Sequence, residues 1–266
     1  MTKDKKRPSG TYEWAHKTYN ICNGCEHGCR FCFAHYNAVM RFKTMTSEQW
    51  KNPTVNKKAV GKKWGLLKGK TIMFPSTHDI TPAILDDCIT TLNNMLSPGN
   101  KVLIVSKPHL ECVEKMCEKL ISYKSQILFR FTIGALDDAI LRYWEPNAPN
   151  AAERMASLRY AHENGFSTSI SMEPNLDWTN VIDNFYKMDP YVSDSIWIGA
   201  MNVIDRRVAI ETDEDQKQVD RIKGQQTLQN MTDVYASLKN HPLVRWKESI
   251  KQALNLDIPN EIGLDI

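Results

Sequence analysis

Between Lys70 and Lys247 the chain alternates short apolar runs with longer segments whose apolar residues recur at helical spacing, and few folds accept that alternation. Lys70–Pro75 (Lys-Thr-Ile-Met-Phe-Pro) reads as a strand. Pro82–Leu96 reads as a helix opened by Thr81 as N-cap, with Pro82 in the first position. Val102–Ser106 is a uniformly apolar run suited to a buried parallel strand, and Leu110–Ile121 is an amphipathic helix. The alternation continues with a strand at Ile127–Ile133, helices at Asp137–Trp144 and Ala151–Asn164, and a strand at Ser167–Met172. A short helix at Val181–Tyr186, a strand at Ser195–Ile198, helix over most of Gln216–Leu238, a strand at Val244–Lys247 and a helix at Glu248–Leu254 complete it. Strand, crossover helix, strand, repeated without a break in composition, predicts an α/β fold with one parallel sheet curled into a full or partial barrel. The expected organisation is a loose basic arm over residues 1–11, one core domain over 12–247, and a C-terminal helix and tail over 248–266.

Upstream, four of the seven cysteines fall in one stretch, Tyr19–Phe33, at Cys22, Cys25, Cys29 and Cys32. An alternating segment from Trp14 to Ile21 reads as a first strand that delivers this loop, and Phe33–Phe42 as the helix that leaves it. An odd number of cysteines clustered at one end does not suit a disulfide framework and points to a metal site. Cys88, Cys112 and Cys117 lie on expected helices and read as buried thiols.

The two Cys-x2-Cys pairs suit tetrahedral zinc, but only residues 26–28 separate them, whereas paired zinc knuckles need roughly 15 to 20. A fully ligated ferredoxin-type cluster needs a fourth thiolate, which Cys22 would have to supply, and no proline follows the last cysteine. Cys25-x3-Cys29-x2-Cys32 on one tight loop can instead hold three corners of an iron-sulfur cube and leave the fourth iron open.

A formal net charge of +3 over 266 residues argues for no global nucleic-acid or halophile character. Positive charge is local: Trp50–Lys70 carries Lys51, Lys57, Lys58, Lys62, Lys63, Lys68 and Lys70 with no acidic residue, and Trp50 and Trp64 among them. Such a segment could track a phosphate backbone and stack a base, or it is a solvated loop whose tryptophans pack on the body. No apolar run approaches the ~18 residues of a membrane span. The segment Met1–Pro8 lacks the apolar core of a signal peptide, so a cytoplasmic location without membrane contact is expected.

In a parallel barrel the working groups sit at the C-terminal ends of the strands. That rule selects Ser76, Thr77, His78 and Asp79 after one strand, Lys107 after the next, Arg130 and Thr132 on a third, then Glu173, Asn202, and finally Trp246 and Lys247. Lys107 needs an anionic partner unless it is a surface lysine. Asp79 either orients Lys107 or caps a helix. A buried Arg130 is a ligand contact or half of an internal ion pair.

Cys25-x3-Cys29-x2-Cys32 with Phe31 resembles the signature of the radical S-adenosylmethionine enzymes. More narrowly, Asn20–Ala34 resembles the Asn-Pro-Tyr-x-Gly-Cys-x-His-x-Cys-x-Tyr-Cys-Tyr-Ala version of the spore photoproduct lyase-like branch. Cys22 stands where that branch often has tyrosine, which sets it apart from the three ligands. Weaker likeness extends through Phe74–Pro82, Val102–Lys107 and Ser169–Pro174, over roughly Tyr19 to Met201. The resemblance implies a partial (β/α)6 barrel, a 4Fe-4S cluster on Cys25, Cys29 and Cys32, and S-adenosyl-L-methionine bound to the open iron. It implies reductive cleavage to a 5'-deoxyadenosyl radical fed by a low-potential donor of flavodoxin or ferredoxin type. In that picture Phe31 shields the cluster or is simply core, and backbone groups at Phe33 reach the adenine. Ser76 or Thr77 and Lys107 meet the cofactor's amino and carboxylate groups, Arg130 and Thr132 face the interior, and Glu173 meets the ribose or Arg130. The rival reading is a zinc-containing nucleic-acid-binding protein without radical chemistry.

Overall fold

The computed structural model describes residues 10–262. Its centre is a seven-stranded sheet of β1 (Lys17–Thr18), β4 (Thr71–Phe74), β5 (Lys101–Ser106), β6 (Ile127–Thr132), β7 (Ser167–Met172), β8 (Ile196–Ile198) and β9 (Val244–Trp246), paired in that order and parallel throughout. A separate antiparallel pair, β2 (Cys22–Asn23) with β3 (Thr54–Val55), sits at the cysteine loop. Spatial order follows chain order and the two edge strands are not paired, so the sheet is a partial barrel. Helices Leu85–Leu96, Leu110–Lys119, Ala151–Glu163, Val181–Met188 and Leu228–Leu238 supply the crossovers.

Strand periodicity divides the buried residues into two layers. Ile72, Phe74, Val102, Ile104, Phe129, Phe131, Ile170, Met172, Ile196 and Ile198 point outward into one large core shared with the helices. Their neighbours Met73, Leu103, Val105 and Leu128 point inward, where they pack with Ala15 and Trp14. Trp14 meets Trp197 edge to face, centroids 5.6 Å apart. The Lys247 ammonium lies 4.0 Å and the Arg130 guanidinium 4.8 Å from the Trp14 ring, so the two cations and two indoles form a plug.

Several local expectations are adjusted. Of the expected arm, residues 1–9 lie outside the described residues, while Gly10–Glu13 form a 3-10 turn tied to the last strand: Lys247 Nζ donates to Gly10 O at 3.1 Å and Glu248 N to Glu13 Oε2 at 2.9 Å. The expected first strand is only Lys17–Thr18, because the Trp14 ring is drawn into the barrel. Phe33–Phe42 is one α turn, Phe33–His35, followed by a π-helical stretch, Tyr36–Arg41, closed by Phe42 N donating to Asn37 O at 2.9 Å. Gln216–Leu238 resolves into Asp213–Gln225 and Leu228–Leu238, because Thr227 starts a new helix by accepting from Asn230 N at 3.2 Å.

Candidate active site at the mouth of the barrel

The cysteine loop is held by backbone contacts from two distant segments. Cys25 N donates to Trp50 O at 2.9 Å, and Gly24 takes φ +93° where a Cβ would run into that carbonyl. On the other side Arg30 N donates to Trp144 O at 2.9 Å, and Asn147 Nδ2 to Glu26 O at 2.9 Å. The Arg30 side chain donates to Tyr143 O at 2.8 Å, pairs with Asp215 at 3.1 Å and stacks over the Tyr143 ring. Cys32 caps the following helix turn, its sulfur accepting from His35 N at 3.4 Å.

Cys25, Cys29 and Cys32 all line one cavity of about 490 Å³ at the C-terminal ends of the strands. Cys22 does not line it; it is buried in β2 against the main core. Burial pushes the Cys25 thiol up to about 12 and raises those of Cys29 and Cys32. Three soft donors that share a cavity, their thiols raised by burial in spite of the Lys107 ammonium nearby, fit an iron-sulfur cluster, whose charge would offset the cost of burying thiolates.

Lys107 extends from the end of β5 beside Cys29 and Cys25. Its Nζ lies 3.4 Å from Asp79 and 3.9 Å from Glu145, and its N–H donates to Asp79 Oδ1 at 2.7 Å. Burial opposes charge on both partners, but their mutual attraction prevails: Lys107 is raised well above its ordinary value, and Lys107 and His27 hold Asp79 well below its own. Asp79 also accepts from Ser106 Oγ at 3.0 Å and meets His27 Nδ1 at 3.0 Å, while His27 Nε2 meets His109 Nε2 at 3.0 Å. Asp79 therefore orients Lys107. His27 falls on the fixed histidine of the Asn20–Ala34 motif, whereas His109 had no sequence signal beyond being a histidine.

On the opposite wall Glu173 leaves the end of β7 and pairs with Lys247 at 3.2 Å, and Lys247 also meets Glu13. Burial raises the Glu173 pKa, and Lys247 only partly offsets it. Gly199 permits this contact, since a Cβ there would lie 2.9 Å from both Glu173 Cγ and Lys247 Cβ. Ser76 and Thr77 line the cavity with their N–H groups fixed on Asn20 Oδ1 at 2.7 and 3.0 Å. Phe31, Phe33, His78, Thr132 and Asn202 line it as well.

Two selected residues point elsewhere. Arg130 donates to Ser169 and Ser195 and lies 3.7 Å from Asp194, below the tryptophan plug, which is the internal ion-pair alternative. Trp246 faces the helix layer against Tyr235. The aromatics of the lysine segment behave as those of a solvated loop whose tryptophans pack on the body: Trp50 is buried beside His35, and Trp64 is wedged between Tyr19 and the Lys17 and Lys62 ammoniums. Its seven lysines are nonetheless all exposed. Arg207, which sequence reading missed, lines the cavity from the loop after β8.

Comparison with known proteins fits this geometry. The sequence model of the Radical SAM superfamily matches residues 19–174, and the chain belongs to that superfamily of S-adenosylmethionine-dependent iron-sulfur enzymes. An uncharacterized protein of Acidianus two-tailed virus, ORF301, is 29% identical over 166 residues, covering 58% of this chain and 54% of that one. This chain thus spans about half the length of that relative. Among solved structures, spore photoproduct lyase complexed with dinucleoside spore photoproduct superposes with TM-score 0.51 at 12% identity, over 84% of this chain and 65% of that one. SuiB of Streptococcus suis bound to S-adenosylmethionine superposes with TM-score 0.56 at 13% identity, over 93% of this chain and 54% of that one. At these identities the likeness is one of fold. No helix among the described residues is long and apolar enough to cross a membrane.

Proposed function

We propose that this chain holds a 4Fe-4S cluster on Cys25, Cys29 and Cys32, binds S-adenosyl-L-methionine beside it, and abstracts hydrogen from an organic substrate. The observation that carries the reading is the convergence of those three sulfurs, Lys107 and Glu173 on one cavity. When bound, the cluster and cofactor supply a reductive cleavage that yields a 5'-deoxyadenosyl radical, with the electron coming from a low-potential flavodoxin- or ferredoxin-like donor. Lys107, fixed by Asp79, offers a charge to the cofactor's carboxylate, and Ser76 and Thr77 offer hydroxyls to its amino group. Glu173, fixed by Lys247, offers a carboxylate to the ribose. Phe31 keeps water from the sulfurs, and the backbone at Phe33 offers groups to the adenine edge. The protein's part is to position and to exclude water.

Anaerobic reconstitution, dithionite reduction and assay for 5'-deoxyadenosine test this. No cofactor cleavage with a fully loaded cluster refutes it, and zinc near one equivalent without brown colour would favour the zinc-protein reading instead. Nucleic acid is one substrate class the exposed lysines of Lys51–Lys70 favour, since their charge is presented to solvent. Binding to oligonucleotides that weakens with salt, and weakens further when these lysines are neutralised, is the expected result. Binding indifferent to both changes removes that class.

A further inference from the structure

Three cations line the cavity through long side chains, and two of them have carboxylate partners: Lys107 has Asp79 and Glu145, and Lys247 has Glu13 and Glu173. The third, Arg207, has none. Among the described residues no carboxylate comes within ion-pair distance of its guanidinium, and Glu173, whose charge acts on it, is paired with Lys247.

The turn that carries Arg207 is built rather than loose. Ile204 and Val208 anchor it in a buried cluster, and Arg207 N donates to Val203 O at 3.2 Å. Val203 starts the turn at φ +58°, a left-handed conformation that a β-branched residue adopts only at a cost, and such strain concentrates where geometry serves a ligand. The guanidinium is half-buried beside Cys32, and desolvation lowers its pKa. The Lys107 ammonium acts on all three sulfurs, whereas the charge of Arg207 is felt with that of Cys32, on the side of Glu173 and Tyr36.

We infer that Arg207 is a specificity residue that seats an oxyanion of the substrate, a phosphate ester or a carboxylate, at the mouth beside Cys32. The inference rests on the radical reading of the same cavity and adds the substrate's chemical class. A planar guanidinium matches either oxyanion through two parallel hydrogen bonds. Beside it, Phe33 and Tyr12 expose ring surface at the same opening, so the anion sits next to an apolar wall.

The test uses the full chain, reconstituted anaerobically, with Arg207→Ala and Arg207→Lys matched to it in iron content and circular dichroism. Inorganic phosphate and acetate are titrated by calorimetry in separate arms, each with saturating S-adenosylmethionine. Binding of at least one anion to the parent protein, weakened about tenfold or more by Arg207→Ala and less by Arg207→Lys, is expected, and the arm that responds names the oxyanion. Equal binding to parent and Arg207→Ala, or no binding of either anion to the parent, overturns the inference. So does anion binding that S-adenosylmethionine itself abolishes, because Arg207 would then serve the cofactor's carboxylate. A parent protein that yields no 5'-deoxyadenosine refutes the radical reading but leaves this anion measurement standing.

Discussion

Asp79→Asn is the substitution that most directly separates a positioning role for Asp79 from a simple helix cap. Asparagine keeps an oxygen for Lys107 N and Ser106 Oγ, now at 2.7 and 3.0 Å, but turns an NH2 toward His27 Nδ1 and the Lys107 ammonium, both of which are donors. Glu145 compensates the lysine only weakly, since it is 3.9 Å away and already paired with Arg154 at 2.6 Å. Side-chain exposures of 13% for Lys107 and 12% for Asp79 place the pair where removing one partner costs roughly 3 to 5 kcal/mol, because it leaves a buried charge uncompensated. For a chain of this size that is a fall in Tm of roughly 10 °C. The assay is thermal and urea unfolding of metal-free protein under reducing, anaerobic conditions, so that cluster loss does not enter. The control is Asp79→Asn with Lys107→Met, which removes the orphaned ammonium and should recover much of the loss. A loss below about 1 kcal/mol in the single variant, or a double variant that loses the sum of the two singles, refutes the reasoning.

Other perturbations read the loop and its anchors. Cys25→Ala, Cys29→Ala and Cys32→Ala should each abolish iron retention while Cys22→Ala keeps it, by iron analysis and visible absorbance; iron loss in Cys22→Ala would defeat the open-iron assignment. Gly24→Ala forces a Cβ into Trp50 O at φ +93° and should cost about 2 kcal/mol or more and lower iron loading, measured by urea unfolding and iron analysis. The Asp215 carboxyl is depressed to about 2 by hydrogen bonds from Tyr143 and then Thr212. Its folded value lies below its unfolded 3.8, so its contribution is present above pH 3.8 and is lost as pH falls toward 2. Asp215→Asn should therefore be less stable than the parent by about 1 kcal/mol at pH 6, with the gap closing near pH 2.

How much of this was legible in the sequence depends on how local the signal is. The strand Ser167–Met172 and the helix after it, Val181–Met188, announce themselves through periodicity, and Ala151–Glu163, whose apolar residues favour no one face, through its Asn150 cap; such signals act over a few residues. The cysteine spacing likewise marks a metal-binding loop by itself. Arg130 shows where such reasoning stops: it shares the inward face with Thr132, as alternation predicts, yet it sits two residues, roughly 7 Å, nearer the start of the strand. That distance puts it on the far side of the Trp14 and Trp197 plug, and the plug's position depends on a tryptophan that precedes the first strand. Arg207 was missed for a related reason. It lies beyond a strand end on an irregular turn, and only the folded cavity shows which cations already have partners.

The distribution of charge around the cavity gives the site its logic. Two cations are locked before any ligand arrives, Lys107 by Asp79 and Lys247 by Glu13 and Glu173, so neither must reorganise to act. Locking Lys107 also keeps uncompensated charge away from the sulfurs, since the ammonium beside the thiols brings its own carboxylate. Arg207 departs from that scheme beside Cys32, and a half-buried guanidinium without a fixed partner is most economically explained by a partner that comes and goes. In the proposed reaction cofactor and substrate both arrive and leave, and the cofactor's carboxylate is already assigned to Lys107, which leaves the substrate for Arg207. The loop after β8 would then set which molecule is accepted, while the cysteine loop and the ends of β4, β5 and β7 would set what is done to it.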